Sequence, residues 1–396
     1  MKRIYLDHAA ATPLDVEVAR KMEHFSRHEY GNPSSLHKEG VSARQSIEEA
    51  RRRIAEMLGA HNDEIIFTGS ATEANALALC GVIQKFREAH PKIVRPEIII
   101  SNVEHSSLRA AAKAIEKEGI AHVIEIPVDE NGSVDLRALK DALTNKTALV
   151  SVLYANNEIG TVEPIREITK ILRHHRKEQG TAYPYFHTDA CQAAHFLDIN
   201  VIRLGVDMMT MNAAKIYGPK GVGLLFARRG VPISAVIAGE QERGLRGGTE
   251  YGAGIVGFAT AFTLARKDGV KEGVRLGKLT DRLEKMLRTK VVGVVINRHP
   301  TLRLPHILHF TVPGFAHDFL ALALDAKGFA VSTGSACTSA DSYDSRGILA
   351  LGKEGITGGV RVSLGRSTTT QDIDAFMKAL VAIIERNKQF QFKSDL

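Results

Sequence analysis

The chain has 396 residues, 44% hydrophobic and 24% charged, which excludes a disordered, collagenous or low-complexity protein and leaves room for two closely packed domains or one large α/β unit. A net charge of +7 raises the question of a nucleic-acid or membrane surface, but the basic residues are scattered, and the densest run, Arg51-Arg52-Arg53, lies in a helical pattern that reads as a solvated face. The longest uncharged stretch near the middle, 251–265, is too short and too rich in glycine for a membrane span, and the N-terminus lacks the apolar core of a secretory signal, so a cytoplasmic protein is expected.

Along the chain, Val41, Ile47, Ala50, Ile54 and Leu58 recur at helical spacing and stop at Gly59, which predicts a helix over 41–58 with a glycine C-cap. Short apolar runs at 64–67, 97–101, 147–152, 185–189, 206–210 and 222–226 then alternate with helical patterns near 72–88, 107–118 and 164–177. This alternation predicts an α/β fold with a mostly parallel sheet covered on both faces. Long helical segments follow over 251–292, then a strand in HILHFTV, a helix near 317–327, a strand at 361–364 and a last helix over 371–387. They predict a smaller α+β domain that shares a cleft with the first.

The residues that carry chemistry cluster in a few strings. Lys215 stands between a buried strand and the turn Gly218-Pro219. It is either a solvated loop lysine or an amine held in an apolar cleft, where a lowered pKa lets it form a Schiff base. Asp189 ends the strand YFHTD, where α/β folds place ligands, although a helix N-cap is an equal reading of that carboxylate alone. The run Thr68 to Glu73 follows one strand and opens a helix, the layout in which free N–H groups cradle a phosphate; it is also a capping box, and the two are compatible.

Three cysteines without a CxxC pair give neither a disulfide framework nor a zinc site. Cys337 lies in a long run of Ser, Thr, Gly and Ala that predicts an exposed, mobile loop, so it is the reactive candidate, whereas Cys80 and Cys191 read as packing residues.

Ten strings, LDHAAATP, YGNPSSLH, ATEAN, VEHSS, NNEIGTVEPI, HTDACQ, KIYGPKGVG, ERGLRGGTE, STGSACTSA and RVSLGR, occur in the order and with nearly the spacing found in cysteine desulfurases of the NifS/IscS type, enzymes dependent on pyridoxal 5'-phosphate (PLP). The resemblance covers essentially the whole chain. It implies PLP-dependent transferase fold type I, with a large PLP-binding domain over 15–261 and a small domain formed by 1–14 and 262–396.

By the same resemblance, Lys215 is similar to the lysine that anchors the cofactor, and Asp189 to the carboxylate that keeps the pyridine nitrogen protonated. His105 resembles the histidine stacked on the ring. Ala71 and Thr72 correspond to the phosphate-binding turn, Asn156 and Gln192 to side chains near the ring hydroxyl, and Thr249 to a phosphate contact donated by a second subunit, which implies a homodimer. Arg361 resembles the arginine that binds the α-carboxylate of L-cysteine, with Asn156 nearby, and Cys337 the nucleophile that takes the sulfur as a persulfide. The implied acceptor is a protein of iron–sulfur cluster assembly or tRNA thiolation.

The chain departs from the pattern where Asn212-Ala213-Ala214 replaces the usual Ser-Gly-His before the lysine, with Asn212 left as a possible substitute contact, and where Gln241 and Ala76 replace a histidine and an asparagine. A selenocysteine lyase or another PLP lyase is the alternative of the same fold; a degenerate, weakly PLP-binding partner subunit is the alternative of another class.

Overall fold

The computed structural model describes residues 3–315, 317–333, 350–351 and 359–394. The loop around Cys337 lies outside the described residues.

After β1 (Ile4–Tyr5), α1 (Val16–His28) and α2 (Lys38–Leu58) lead into β2 (Ile65–Thr68) and α3 (Ala71–Ala89). Next come β3 (Glu97–Ser101), α4 (Ser106–Lys117), β4 (His122–Ile126), α5 (Leu136–Ala142), β5 (Thr147–Ser151), α6 (Ile165–Gln179) and β6 (Tyr185–Asp189). The single turn α7 (Val201–Leu204) precedes β7 (Met208–Asn212) and β8 (Gly223–Ala227), and the turn α8 (Gln241–Gly244) precedes α9 (Gly252–Lys290). The remaining elements are β9 (Val295–Asn297), β10 (Ile307–Thr311), α10 (His317–Ala326), β11 (Phe329–Ala330), β12 (Gly359–Ser363) and α11 (Thr370–Ser394).

The main sheet has seven strands in the order β2-β8-β7-β6-β5-β3-β4, and every strand except β8 runs in the same direction. Alternation along the strands explains why both faces are dry. Ile65, Phe67 and Ile99 point into a core with α2, α6 and the first half of α9, whereas Ile66, Ile98 and Ile100 point into a second core with α3 and α4. A third core surrounds the antiparallel sheet β12-β10-β9 and takes Leu276, Leu283 and Leu287 from the second half of α9. The region 251–292, expected as several helical segments, is thus dominated by one helix of 39 residues that serves two cores and runs through the 261/262 position.

The helix over 41–58 ends as expected at Gly59, whose φ of +70° and close neighbour Asn200 both require the absent side chain. The reading of Arg51-Arg52-Arg53 as a solvated face is half corrected. Arg52 and Arg53 are exposed and pair with Glu49, but the Arg51 side chain is only 4% exposed and is held by Glu242 at 2.8 Å, because position 51 faces β2 rather than solvent. No helix among the described residues is long and apolar enough to cross a membrane.

Candidate active site

The carboxyl ends of β6 and β7 and the amino ends of α3 and α4 open on one side of the main sheet, where a cleft encloses about 830 Å³ counted out to bulk solvent. Of the residues singled out from sequence, Ala71, Thr72, His105, Asp189, Gln192, Asn212, Lys215 and Arg361 all line it.

At one end is the start of α3. Ser70 caps the helix by accepting from the Glu73 N–H at 3.2 Å, and the Ala74 N–H is taken by the Ser70 carbonyl, which leaves the Ala71 and Thr72 N–H groups without a partner among the described residues. Gly223 lets β8 pass this point, since a Cβ there would stand 2.9 Å from the Ala71 nitrogen. Two free N–H groups at the positive end of a 19-residue helix suit an anion such as a phosphate.

In the cleft wall, Asp189 accepts from the Cys191 N–H at 3.0 Å and from Asn75 Nδ2 at 2.9 Å. Behind it in β6, His187 contacts the hydroxyls of Ser151 (2.8 Å) and Thr210 (3.0 Å), and complete burial lowers its pKa to about 4, so it is neutral at pH 7. Lys215 follows β7 in a short 3₁₀ turn, where its ammonium donates to the Ala10 carbonyl. The N-terminal segment is fixed over this turn by Thr12, whose N–H and hydroxyl both donate to the Ala214 carbonyl at 2.9 Å. Asn212 uses Oδ1 to cap the Ala214 N–H at 2.8 Å, leaving its amide nitrogen as the remaining donor.

Arg361 is 2% exposed; it donates to the Asn157 carbonyl (2.8 Å) and to Asp7 (2.7 Å), while its Nε has no partner among the described residues. A buried guanidinium with a spare donor, lining a cleft, is suited to a carboxylate ligand. Gln192 donates to the Ala9 carbonyl at 2.9 Å.

Two expected residues stand elsewhere. Asn156 is buried beside the cleft, its amide engaged with the N–H groups of Glu158 and Ile159 and the Val103 carbonyl, and it is the next residue, Asn157, that lines the wall. Thr249 lines a second hollow with Glu242 and Arg246. Both described thiols are held protonated, Cys191 well above the ordinary value by burial and the nearby Asp189 carboxylate, and Cys80 by burial.

Sequence reading assigned no role to Asn75, Ser107, Asp7 or the Ala9-Ala10 carbonyls. The strings ATEAN, VEHSS and LDHAAATP contain them all, but only the fold brings them together. In chemical terms the cleft offers an amine, a carboxylate, an anion seat at a helix end and a buried guanidinium. This donor set fits a flat, phosphorylated heterocycle bearing a carbonyl, together with an amino acid.

Residues 4–376 match the Aminotransferase class-V family, and the chain belongs to it. It is 40% identical over 390 residues to the cysteine desulfurase IscS of Dictyoglomus turgidum, covering 98% of this chain and 96% of that protein. It is 37% identical to the putative cysteine desulfurase IscS 1 of Bacillus subtilis over 98% of this chain and all of the relative. Among solved structures, a NifS-like protein superposes with a TM-score of 0.88 at 33% identity, covering 97% of this chain and 99% of the other.

Proposed function

We propose that this protein is a PLP-dependent cysteine desulfurase that converts L-cysteine to L-alanine and passes the sulfur on as a persulfide of Cys337. The observation that carries this reading is the convergence of Lys215, Asp189, the α3 amino end and Arg361 on one cleft. In it, Lys215 would anchor PLP by its amine, the free Ala71 and Thr72 N–H groups and the Thr72 hydroxyl would hold the phosphate, and Asp189 would pair with the pyridine nitrogen. PLP, when bound, supplies the electron sink that loosens bonds around the substrate Cα. His105 would cover the ring face, Gln192 would stand near the ring hydroxyl with Asn156 behind the wall, and Arg361 would orient the substrate carboxylate.

Cys337 is the sulfur acceptor by its resemblance to the nucleophile of NifS/IscS-type enzymes, and the burial that raises the pKa of the Cys80 and Cys191 thiols is in keeping with packing roles for those two. The reading also divides the chain into a cofactor-binding part, 15–261, and a smaller part from 1–14 and 262–396. A homodimer is supported by the location of Thr249: it lies outside its own chain's cleft, in a hollow with the exposed Tyr251, as expected of a phosphate contact given to a second copy. A cytoplasmic location and delivery to an iron–sulfur scaffold or tRNA-thiolation protein complete the proposal.

The test is Lys215→Ala. The variant should remain folded by circular dichroism and lose the borohydride-reducible adduct with PLP; an adduct that persists would assign the anchor to another lysine and overturn the site.

A further inference from the structure

Asn75 lies one turn into α3 and is completely buried. Its amide nitrogen donates to Asp189 Oδ2 at 2.9 Å and to Ser107 Oγ at 3.1 Å. Asn75 Nδ2 is the donor in both contacts, so both amide hydrogens are used. Ser107 Oγ, already accepting from Asn75, turns its own hydrogen to His105 Nδ1 at 2.8 Å. The Ser107 N–H points to the same nitrogen at 3.2 Å.

Proton counting fixes the rest. The Ser107 N–H can only donate, so Nδ1 carries the lone pair, the hydroxyl beside it donates as well, and a neutral ring must hold its proton on Nε2. One directed thread therefore runs from α3 through α4 and sets two site groups at once. Asn75 keeps Asp189 supplied with a donor, and Ser107 keeps His105 in a single tautomer.

We infer that Asn75 and Ser107 are positioning residues of the desulfuration site, holding His105 as the Nε2–H tautomer and fixing the orientation of the Asp189 carboxyl in the same cleft wall. The inference rests on the reaction proposed above. It adds that the tautomer of His105 and the orientation of the Asp189 carboxyl are fixed together, by residues that need touch neither cofactor nor substrate.

The test uses the full-length protein loaded with PLP and labelled with ¹⁵N at histidine, with His105 assigned by its loss in His105→Gln. Two-bond nitrogen–proton correlations should report the Nε2–H tautomer for His105. Ser107→Ala, which leaves only the backbone N–H on Nδ1, should admit a detectable share of the Nδ1–H tautomer and lower kcat for L-cysteine roughly tenfold with little change in KM, whereas Ser107→Thr, which keeps the hydroxyl, should restore both. Asn75→Ala should weaken PLP binding roughly tenfold, measured as the dissociation constant from the visible band of the bound cofactor.

An Nδ1–H tautomer in the unaltered protein overturns the inference, as does a Ser107→Ala protein with unchanged tautomer and unchanged kcat. If Asn75→Ala fails to fold, the tautomer and the Ser107 pair still decide. A correct tautomer in a protein that binds PLP but leaves L-cysteine untouched counts for the thread and against the proposed reaction.

Discussion

Glu104, the residue before His105, is sealed behind the cleft wall. One oxygen accepts from the Ser101 hydroxyl and the Leu153 N–H, both at 2.7 Å, while the other has no partner among the described residues. Burial, reinforced by the nearby carboxylates of Asp189 and Glu163, pushes its pKa up to about 8, so it is protonated at pH 7. The sign follows from that direction: a carboxyl raised in the folded state contributes stability below about pH 4.5 and loses it as pH rises toward 8. Glu104→Gln, which cannot ionise, should gain on the unaltered protein by on the order of 3 kcal/mol between pH 5 and pH 8, read from urea midpoints. A gap that stays constant with pH would mean Glu104 is ionised throughout. Residues of this kind are poorly legible in a sequence. Lys215 and Asp189 announced themselves by standing at the ends of apolar strands, but Glu104 beside His105 and Asn75 inside a helix look like ordinary polar residues until long-range packing buries them.

Arg51 shows how elements are tied together. Its guanidinium reaches from α2 to the Ile65 carbonyl (2.7 Å), lies over the Phe67 ring, and forms a forked pair with Glu242, whose carboxylate also accepts from the Phe67 N–H at 2.9 Å. Glu242 and Arg243 take positive φ angles of 46° and 59°, a conformation unfavourable for side-chain-bearing residues, and the buried pair holds them there. Glu242→Ala leaves the buried Arg51 with only the exposed Glu48, at 3.0 Å from its Nε, as a carboxylate partner among the described residues and should cost about 3 kcal/mol in chemical denaturation, with new proteolytic cuts over 240–250, the segment that leads to Thr249. A loss below 1 kcal/mol would show that water replaces the carboxylate. Helical spacing identified α2, yet it could not separate Arg51 from its two exposed neighbours, because three consecutive residues point in three directions and only the neighbouring strand decides which is covered. For a related reason α1 and β4 escaped the pattern: α1 buries only Val18 and Phe25, and β4 is a short edge strand buried only at Ile126.

At the scale of the molecule, three buried histidines gather where the two sheets meet. His8 comes from the N-terminal segment, His195 from the loop after β6 and His306 from the approach to β10. Tyr217, at a φ of 64°, lies among them under the Arg366 guanidinium, which pairs with Asp15 at 2.8 Å. His195 stacks on Phe196 at 4.2 Å, and Phe196 meets His306 at 4.7 Å. Burial lowers His8 to about 4, opposed by Glu272, and lowers His195 to about 3, assisted by Arg366 and Arg266; His306 falls well below its usual value by burial and the nearby His195, His8 and Arg361. The unfolded chain therefore takes up protons that the folded one refuses, and this contribution, complete above pH 6.5, is lost as pH falls toward 4. His195→Phe keeps a stacked ring without a titrating nitrogen, so its stability loss between pH 7 and pH 5 should be smaller by about 2 kcal/mol than that of the unaltered protein, the Glu104 contribution cancelling in the comparison. An identical slope in the two proteins would place the acid sensitivity elsewhere. Nothing local signals this cluster, since its members are separated by more than a hundred residues along the chain.

The pairing of β1 with β11 carries a consequence for how the protein comes into being. Ile4 and Tyr5 lie beside Phe329 and Ala330, Asp7 pairs with Arg361, and the next few residues supply the carbonyls that hold Lys215 and Gln192. During synthesis Ile4, Tyr5 and Asp7 emerge more than three hundred positions before Phe329, Ala330 and Arg361, so this end of the cleft wall stays unanchored while most of the main sheet can already form. Competence for chemistry thus arrives with nearly the last part of the chain. A ribosome-stalled nascent protein ending before β11 would carry the lysine and the aspartate and still lack both the strand that β1 pairs with and Arg361, so the site closes only as the chain nears completion.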